Sequence, residues 1–353
     1  MHCTSIHDFP RVARGSLTDV FFKIRHEGYG GGGDSHRITR IRNRWLGESA
    51  TIDEHRRWRG PANGITAALE SKCLGDPQCA FCGDAGIRHM LARPGAYRGP
   101  SHCRFHPDCG FAGHHCLVFP DRHNPLDIDE PLVQEMFTSA GEWAAEIAFR
   151  ARRSSDDDPP LFYFIAWNIL SGSAIHSHLH ATLNAGFAEG GAQNLADASR
   201  RYRNQFGSNF FDDFARVHSD LGLTFEAGTA TAFASLVPTK EREVWIQCAQ
   251  QGPAGMPPDA LAAVVNVLRT FIQTADKPCP AFNIAAMFPP LEYAEDWSDF
   301  PVIVRIVDRG WPLLGVTDWA TMEMFGTRVV AADPFVVASV LRAAVGAPAE
   351  ICV

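Results

Sequence analysis

From Gly113 onward the apolar positions group into short continuous runs and longer periodic stretches. His115-Cys116-Leu117-Val118-Phe119 is a compact run that stops at Pro120, the pattern of a buried strand. Leu132, Val133, Met136, Phe137, Ala140, Trp143, Ala144 and Ile147 then recur at helical spacing. With Asp129 or Glu130 as cap and Pro131 in the first turn, they predict a helix that runs to Arg152-Arg153. Ser154 to Pro160 breaks it. Leu161 to Trp167 predicts a second strand, Ser171-Gly172-Ser173 a reversal, and Ile175 to Leu183 a third strand.

This order of strand, helix, strand, strand recurs. Val244-Trp245-Ile246 reads as a strand, Pro257 to Ala275 as a helix, and Phe282 to Phe288 and Val302 to Val307 as two further strands. The order of elements, rather than residue identity, predicts a structural duplication. Between the halves, Asn194 to Gly222 is polar with interspersed aromatics and reads as connecting helices. Residues 1–75 are rich in Arg, His and Gly and show no sustained period, which predicts an irregular N-terminal arm. The glycine run Gly30 to Gly33 lacks a strand before it and a helix after it, so it reads as a loop rather than a phosphate cradle.

Composition narrows the class. The chain has 353 residues, 46% apolar and 20% charged, and no apolar run approaches the ~20 residues of a membrane span. The segment after Met1-His2-Cys3-Thr4 has no basic stretch followed by an apolar one, which predicts a cytoplasmic protein. The balance of 32 basic against 40 acidic residues, net -8, disfavours nucleic acid as main partner. Ten cysteines in such a chain call for a test of metal binding or catalysis before disulfides.

The most informative segment is Ile175-His176-Ser177-His178-Leu179-His180. On a strand, alternate side chains share a face, so the three imidazoles would project together. Two chemistries use such a set: metal binding through neutral imidazole, or attack on an electrophile. A plain three-histidine metal site leaves no role for Asn168, for the Gly172-Ser173 turn or for the upstream Cys79-Ala80-Phe81-Cys82. The C-x-x-C spacing lets two thiolates share one zinc ion. The same spacing also suits a redox pair, but Asp76-Pro77-Gln78 before it and Gly83-Asp84 after it have the composition of a loop knuckle. Cys103, His106, Cys109, His114, His115 and Cys116 form a second cluster of metal-type residues.

With these residues in view, the chain resembles the histidine-triad superfamily, and within it the galactose-1-phosphate uridylyltransferase-like branch. Gly113-His114 followed by Leu117-Val118-Phe119-Pro120-Asp121-Arg122-His123 is similar to the strand that ends in proline and then histidine. Asn168, Gly172-Ser173 and the three histidines resemble the catalytic segment. The resemblance implies an α+β fold of two histidine-triad-like halves, each a mainly antiparallel sheet with a packed helix, forming a pseudo-duplicated domain. Residues 76–190 would be the catalytic half with the zinc site, 191–225 a helical connection, and 226–353 a second half without the triad. It implies Zn2+ on Cys79, Cys82, His123 and His176 and a nucleophile at His178 that accepts a nucleoside monophosphate. Ser173, Gly172 and Asn168 would serve the phosphate, with His180 beside them. The substrates implied are a nucleotide or nucleotide-sugar and a small-molecule acceptor, with no membrane partner and a homodimeric assembly.

His180 departs from that branch, which has glutamine there; hydrolytic relatives have histidine, able to donate a proton to a leaving oxygen. The spacing from Asn168 to the histidines is also shorter than the branch's. A nucleotide hydrolase or phosphorylase, and a non-catalytic zinc protein that binds nucleotides, are the alternatives. In the second half, Arg305, Arg309 and Arg328 are candidates to neutralise a phosphate.

Overall fold

The computed structural model describes residues 4–6, 21–29, 36–53, 71, 73–77, 79, 81–82, 97–98, 104–107, 113–151, 159–170, 175–252, 254–273, 281–310 and 321–345. Strands β1 (Phe22–Tyr29), β2 (His36–Asn43) and β3 (Ser49–Ile52) come first, then the short β4 (Tyr97–Arg98) and β5 (Arg104–Pro107). The first strand-helix-strand-strand unit is β6 (His114–Phe119), α1 (Glu130–Ala151), β7 (Leu161–Ile169) and β8 (Leu179–Ala185). Helices α2 (Gly190–Phe206) and α3 (Phe210–Asp220) lead to β9 (Thr224–Phe225) and β10 (Thr231–Ala234). The second unit is β11 (Glu241–Cys248), α4 (Pro258–Gln273), β12 (Ala281–Met287) and β13 (Val302–Gly310). Helix α5 (Thr321–Met324), β14 (Thr327–Val330) and α6 (Pro334–Val345) follow.

The two units join in one ten-stranded sheet of order β4-β5-β6-β8-β7-β12-β13-β11-β10-β9. Within each unit the last strand lies between the other two, and the middle strands, β7 and β12, meet at the centre. The halves are thus related as by a two-fold axis at that seam, the arrangement expected of a duplication. The fold is α+β, with antiparallel pairing throughout this sheet.

Alternation of side chains gives the sheet two different faces. One carries Val118, Leu179, Ala181, Ile165, Trp167, Ile284, Val304 and Ile246, all buried. Helix α1 covers it through Phe137 against Trp167, and α4 through Phe271 stacked on Phe282. Asp129 accepts from the Leu132 N–H and caps α1, as its composition predicts. A Cβ built on Gly141 of α1 would lie 2.9 Å from the Ala254 carbonyl oxygen, so only glycine fits where α1 meets the turn before α4.

At the β6 end of the other face Phe81 packs with Leu117 and Phe119, and at the opposite end α3 covers it. There Phe214 of α3 packs on Phe233 and Trp245. Arg305 lies over the Trp245 ring and is held by Glu243 and Glu48. Toward the sheet centre, by contrast, Ala166 and Ala285 sit directly opposite each other and are exposed.

Among the described residues of the expected irregular arm, 22–29, 36–43 and 49–52 are strands. Strands β1 to β3 build a four-stranded sheet closed by β14, which pairs in parallel with β3. The second half accordingly gives up its last strand to this N-terminal sheet. Phe22, Ile24, Thr39, Ile41, Ala50 and Ile52 alternate with Lys23, Arg25, Arg40 and Arg42, a period of two. Phe21 and Phe22 pack on Phe214, and Phe21 stacks on Tyr202. The glycine run falls outside the described residues. Among those described, no helix is long and apolar enough to cross a membrane.

His218 of α3 couples helix and sheet. Its Nδ1–H donates to the Phe214 carbonyl at 2.8 Å, and its Nε2 accepts from the Leu236 N–H at 3.2 Å. A ring that uses one nitrogen as acceptor must be neutral, and burial, partly offset by the Phe214 carbonyl, lowers its pKa to about 4. The unfolded chain takes up this proton below pH ~6.5 while the native state does not, so His218 contributes full stability above pH ~6.5 and loses it as pH falls toward 4. Urea unfolding should show about 2 kcal/mol less stability from this group at pH 5 than at pH 7, a difference missing from His218→Gln.

Candidate active site and metal centre

The loop after β6 and the segment before β8 converge on the Cys79–Cys82 knuckle. The knuckle is a tight turn in which the Cys82 N–H donates to the Cys79 carbonyl and the Cys79 N–H to Asp76. One ligand atom each of Cys79, Cys82, His123 and His176 lie within 4.8 Å of one another. Cys82 Sγ is 3.1 Å from His123 Nδ1 and 3.2 Å from His176 Nδ1, and Cys79 Sγ is 3.6 Å from His176 Nδ1. A tetrahedral shell with bonds of about 2.0–2.3 Å has edges of about 3.3–3.8 Å, so this donor set fits a metal ion.

His176 is oriented for that task. Its Nε2–H donates to the Pro120 carbonyl at 2.8 Å, which leaves Nδ1 unprotonated and aimed at the thiols. The same residue serves its neighbour but one, since the His176 carbonyl accepts from His178 Nδ1–H at 2.8 Å. His178 therefore keeps its lone pair on Nε2. Burial pushes the His178 pKa down, partly offset by this hydrogen bond, and favours the neutral ring. Phe81, inside the knuckle, stacks on His178 with ring centroids 5.1 Å apart and also contacts His176 and Phe119. Ser177 accepts from the Trp167 indole N–H at 3.1 Å and ties the segment to β7.

The expected strand from Ile175 to Leu183 is shorter: β8 begins at Leu179, and only His180 of the three histidines belongs to it. Serving the metal cluster through Nδ1, the Pro120 carbonyl through Nε2 and His178 through its own carbonyl requires His176 to leave the ladder. The imidazoles consequently divide into His176, a member of the Cys2His2 cluster, and a close pair, His178 and His180, with centroids 5.2 Å apart. His180 Nδ1 lies 3.0 Å from His115 Nε2, and the two rings stack at 5.1 Å. Asn168 is on β7 opposite Asn283 of β12, on the face that carries His180. Gly172 and Ser173 lie outside the described residues.

Several sequence candidates take other roles. His115 and Cys116 point to opposite faces of β6: His115 meets His180, while Cys116 is buried in the core, where desolvation pushes its thiol pKa well up. His114 is exposed. Among the described residues the Cys79 cluster alone has metal-binding geometry. Cys103 and Cys109 fall outside them, as does the side chain of His106. Arg305 is engaged by Glu243 and Glu48, and Arg328 donates to the Glu323 carbonyl. Phe81 and the His115–His180 contact were not anticipated. The second was within reach, because the β6–β8 register sets Leu117 opposite His180 and so places His115 diagonally beside it.

No protein-family model matches the sequence, and no curated protein matches it either. Solved structures do match. An ADP-glucose phosphorylase from Arabidopsis thaliana, with bound ADP-glucose, superposes with a TM-score of 0.61 at 15% identity, over 91% of this chain and 99% of that one. A uridylyltransferase gives 0.57 at 15% identity over 87% and 98%. A GalT-like protein from Arabidopsis thaliana gives 0.56 at 18% identity over 76% and 93%. The chain shares the fold of these three structures.

Metal analysis of protein purified without chelator should find about one equivalent per chain, the stoichiometry of a closed Cys2His2 shell. Cys82→Ser should lose most of it and melt at lower temperature, since binding to such a cluster is part of the folding free energy.

Proposed function

We propose that this protein is a nucleotidyltransferase that passes a nucleoside monophosphate through His178 to a small-molecule acceptor. The observation that carries the reading is the His178 hydrogen bond to the His176 carbonyl, which leaves a neutral Nε2 beside His180. Nε2 attacks the α-phosphorus of a nucleotide donor, the P–N bond forms, and the P–O bond to the leaving group breaks. The ring becomes cationic in that step, and the Nδ1–H bond to the carbonyl strengthens with it. In the second step an acceptor oxygen attacks the same phosphorus, the P–N bond breaks and His178 returns neutral.

In this reading Ser173 and the Gly172 backbone donate to phosphate oxygens, whose charge grows toward the transition state, and Asn168 contacts substrate. Cys79, Cys82, His123 and His176 hold Zn2+, which supplies rigidity to the loop carrying His178. The second half lacks histidines on β13 and shapes the pocket. A cytoplasmic homodimer completes the picture.

A second reading, a phosphorylase or hydrolase with inorganic phosphate or water as acceptor, is favoured by the His180–His115 contact. If His115 Nε2–H donates to His180 Nδ1, then His180 carries its proton on Nε2, where it can protonate a leaving oxygen. The ADP-glucose phosphorylase among the similar structures agrees with that variant.

Intact mass after brief incubation with UDP-glucose, ADP-glucose, GDP-sugars and nucleoside triphosphates tests both. A nucleoside monophosphate adduct is expected on the wild type and not on His178→Ala; an active enzyme without His178 would end the proposal. His180→Gln should slow adduct formation by about 10²–10⁴-fold with poor leaving groups if His180 is the acid. Release accelerated by inorganic phosphate identifies the phosphorylase.

A further inference from the structure

The outer face of the small sheet concentrates positive charge in a chain of net charge -8. Its register sets Lys23 directly opposite Arg42 and Arg25 directly opposite Arg40. Strands β3 and β14 continue the face with Ser49 opposite Arg42 and Thr327 opposite Ser49. Together these side chains line a shallow groove of about 270 Å³.

Like charges facing each other across an antiparallel pair destabilise it, and here two such pairs follow in succession. Protection of a sheet edge accounts for Lys23 and Arg25, which lie on the outermost strand, β1. It does not account for Arg40 and Arg42, which lie on the inner strand β2. Glu27 bridges Arg25 at 3.0 Å and Arg40 at 3.8 Å, and Asp53 follows β3 at the same end of the face. Lys23 and Arg42 are at the other end, beside the hydroxyls of Ser49 and Thr327, which lie 3.0 Å apart. The exposed ends of these cations and the hydroxyls form a cationic, hydroxyl-lined bay, the donor set that recognises phosphate oxygens.

We propose that this bay binds a small polyphosphorylated anion, of the di- or triphosphate class, at a site separate from the histidines. Glu27 and Asp53 offset part of the charge at the Arg25–Arg40 end, and the cationic surplus left in two adjacent register pairs calls for more negative charge in a small volume than one carboxylate supplies. The groove is short and the rest of the chain is net acidic, which favours a compact ligand over a nucleic acid strand.

Calorimetry of the full chain with inorganic triphosphate and pyrophosphate in 150 mM NaCl tests this. Binding should weaken about tenfold or more in Lys23→Ala/Arg42→Ala, the loss of two charge-assisted contacts. The melting temperature should hold or rise as the repulsion is relieved, and nucleotidyl transfer should be unchanged. If the double variant melts lower, Lys23→Gln/Arg42→Gln keeps the stems and repeats the measurement. Equal affinity in the variants would place the probe elsewhere and overturn the proposal. So would wild-type binding that disappears in 150 mM NaCl, which is surface screening only. Oligonucleotides that bind more tightly with increasing length would replace it with a nucleic acid surface.

Discussion

The antiparallel seam between β7 and β12 is the constraint from which the rest follows. Buried in the middle of ten strands, both must satisfy every backbone donor and acceptor through their neighbours, so their register is fixed along the whole seam. Register then decides faces. Ile165 and Trp167 line up with Ala286 and Ile284 under the helices, while Ala166 and Asn168 line up with Ala285 and Asn283 on the opposite face. A one-residue slip would drive the asparagines into the core and expose Trp167. Because the alanines have little to offer a covering layer, the sheet keeps an open floor between the histidines of one half and the charged cluster of the other.

Above that floor, the Cys2His2 cluster and His178 meet in a single residue. His176 directs one ring nitrogen to the thiols, the other to the Pro120 carbonyl, and its own carbonyl to His178. Phe81 closes the arrangement from the knuckle side by packing on both rings. An ion held by the four donors would act on His178 through the backbone geometry of His176.

Much of this was legible in the sequence because it rests on short-range pattern. The helix behind Asp129, the strand ending at Pro120 and the repeated order of elements all appear as local periodicity, and the fold resemblance rests on motif residues that lie close together. What stayed hidden depends on long-range pairing or on mixed chemistry. In β1 and β2 the alternating apolar positions are interleaved with so many basic residues that the period of two is easily missed over short strands. His176 leaves the strand because its ring has partners on three sides, a fact no spacing contains. Arg305 looked available to a phosphate because Glu48 and Glu243 lie far from it in sequence.

The parallel pairing of β3 with β14 has a consequence for how the molecule is made. Residues 49–52 must wait for residues 327–330 before their sheet is complete, so one flank of β3 stays unpaired through most of synthesis. The loop that this contact closes encloses both repeated units, and such non-local closure is slow. The halves can assemble around their seam first, and the strand from the far end of the chain then acts as the clasp. Nascent chains stalled short of it carry a bare strand flank, the kind of surface on which chaperones or aggregation act.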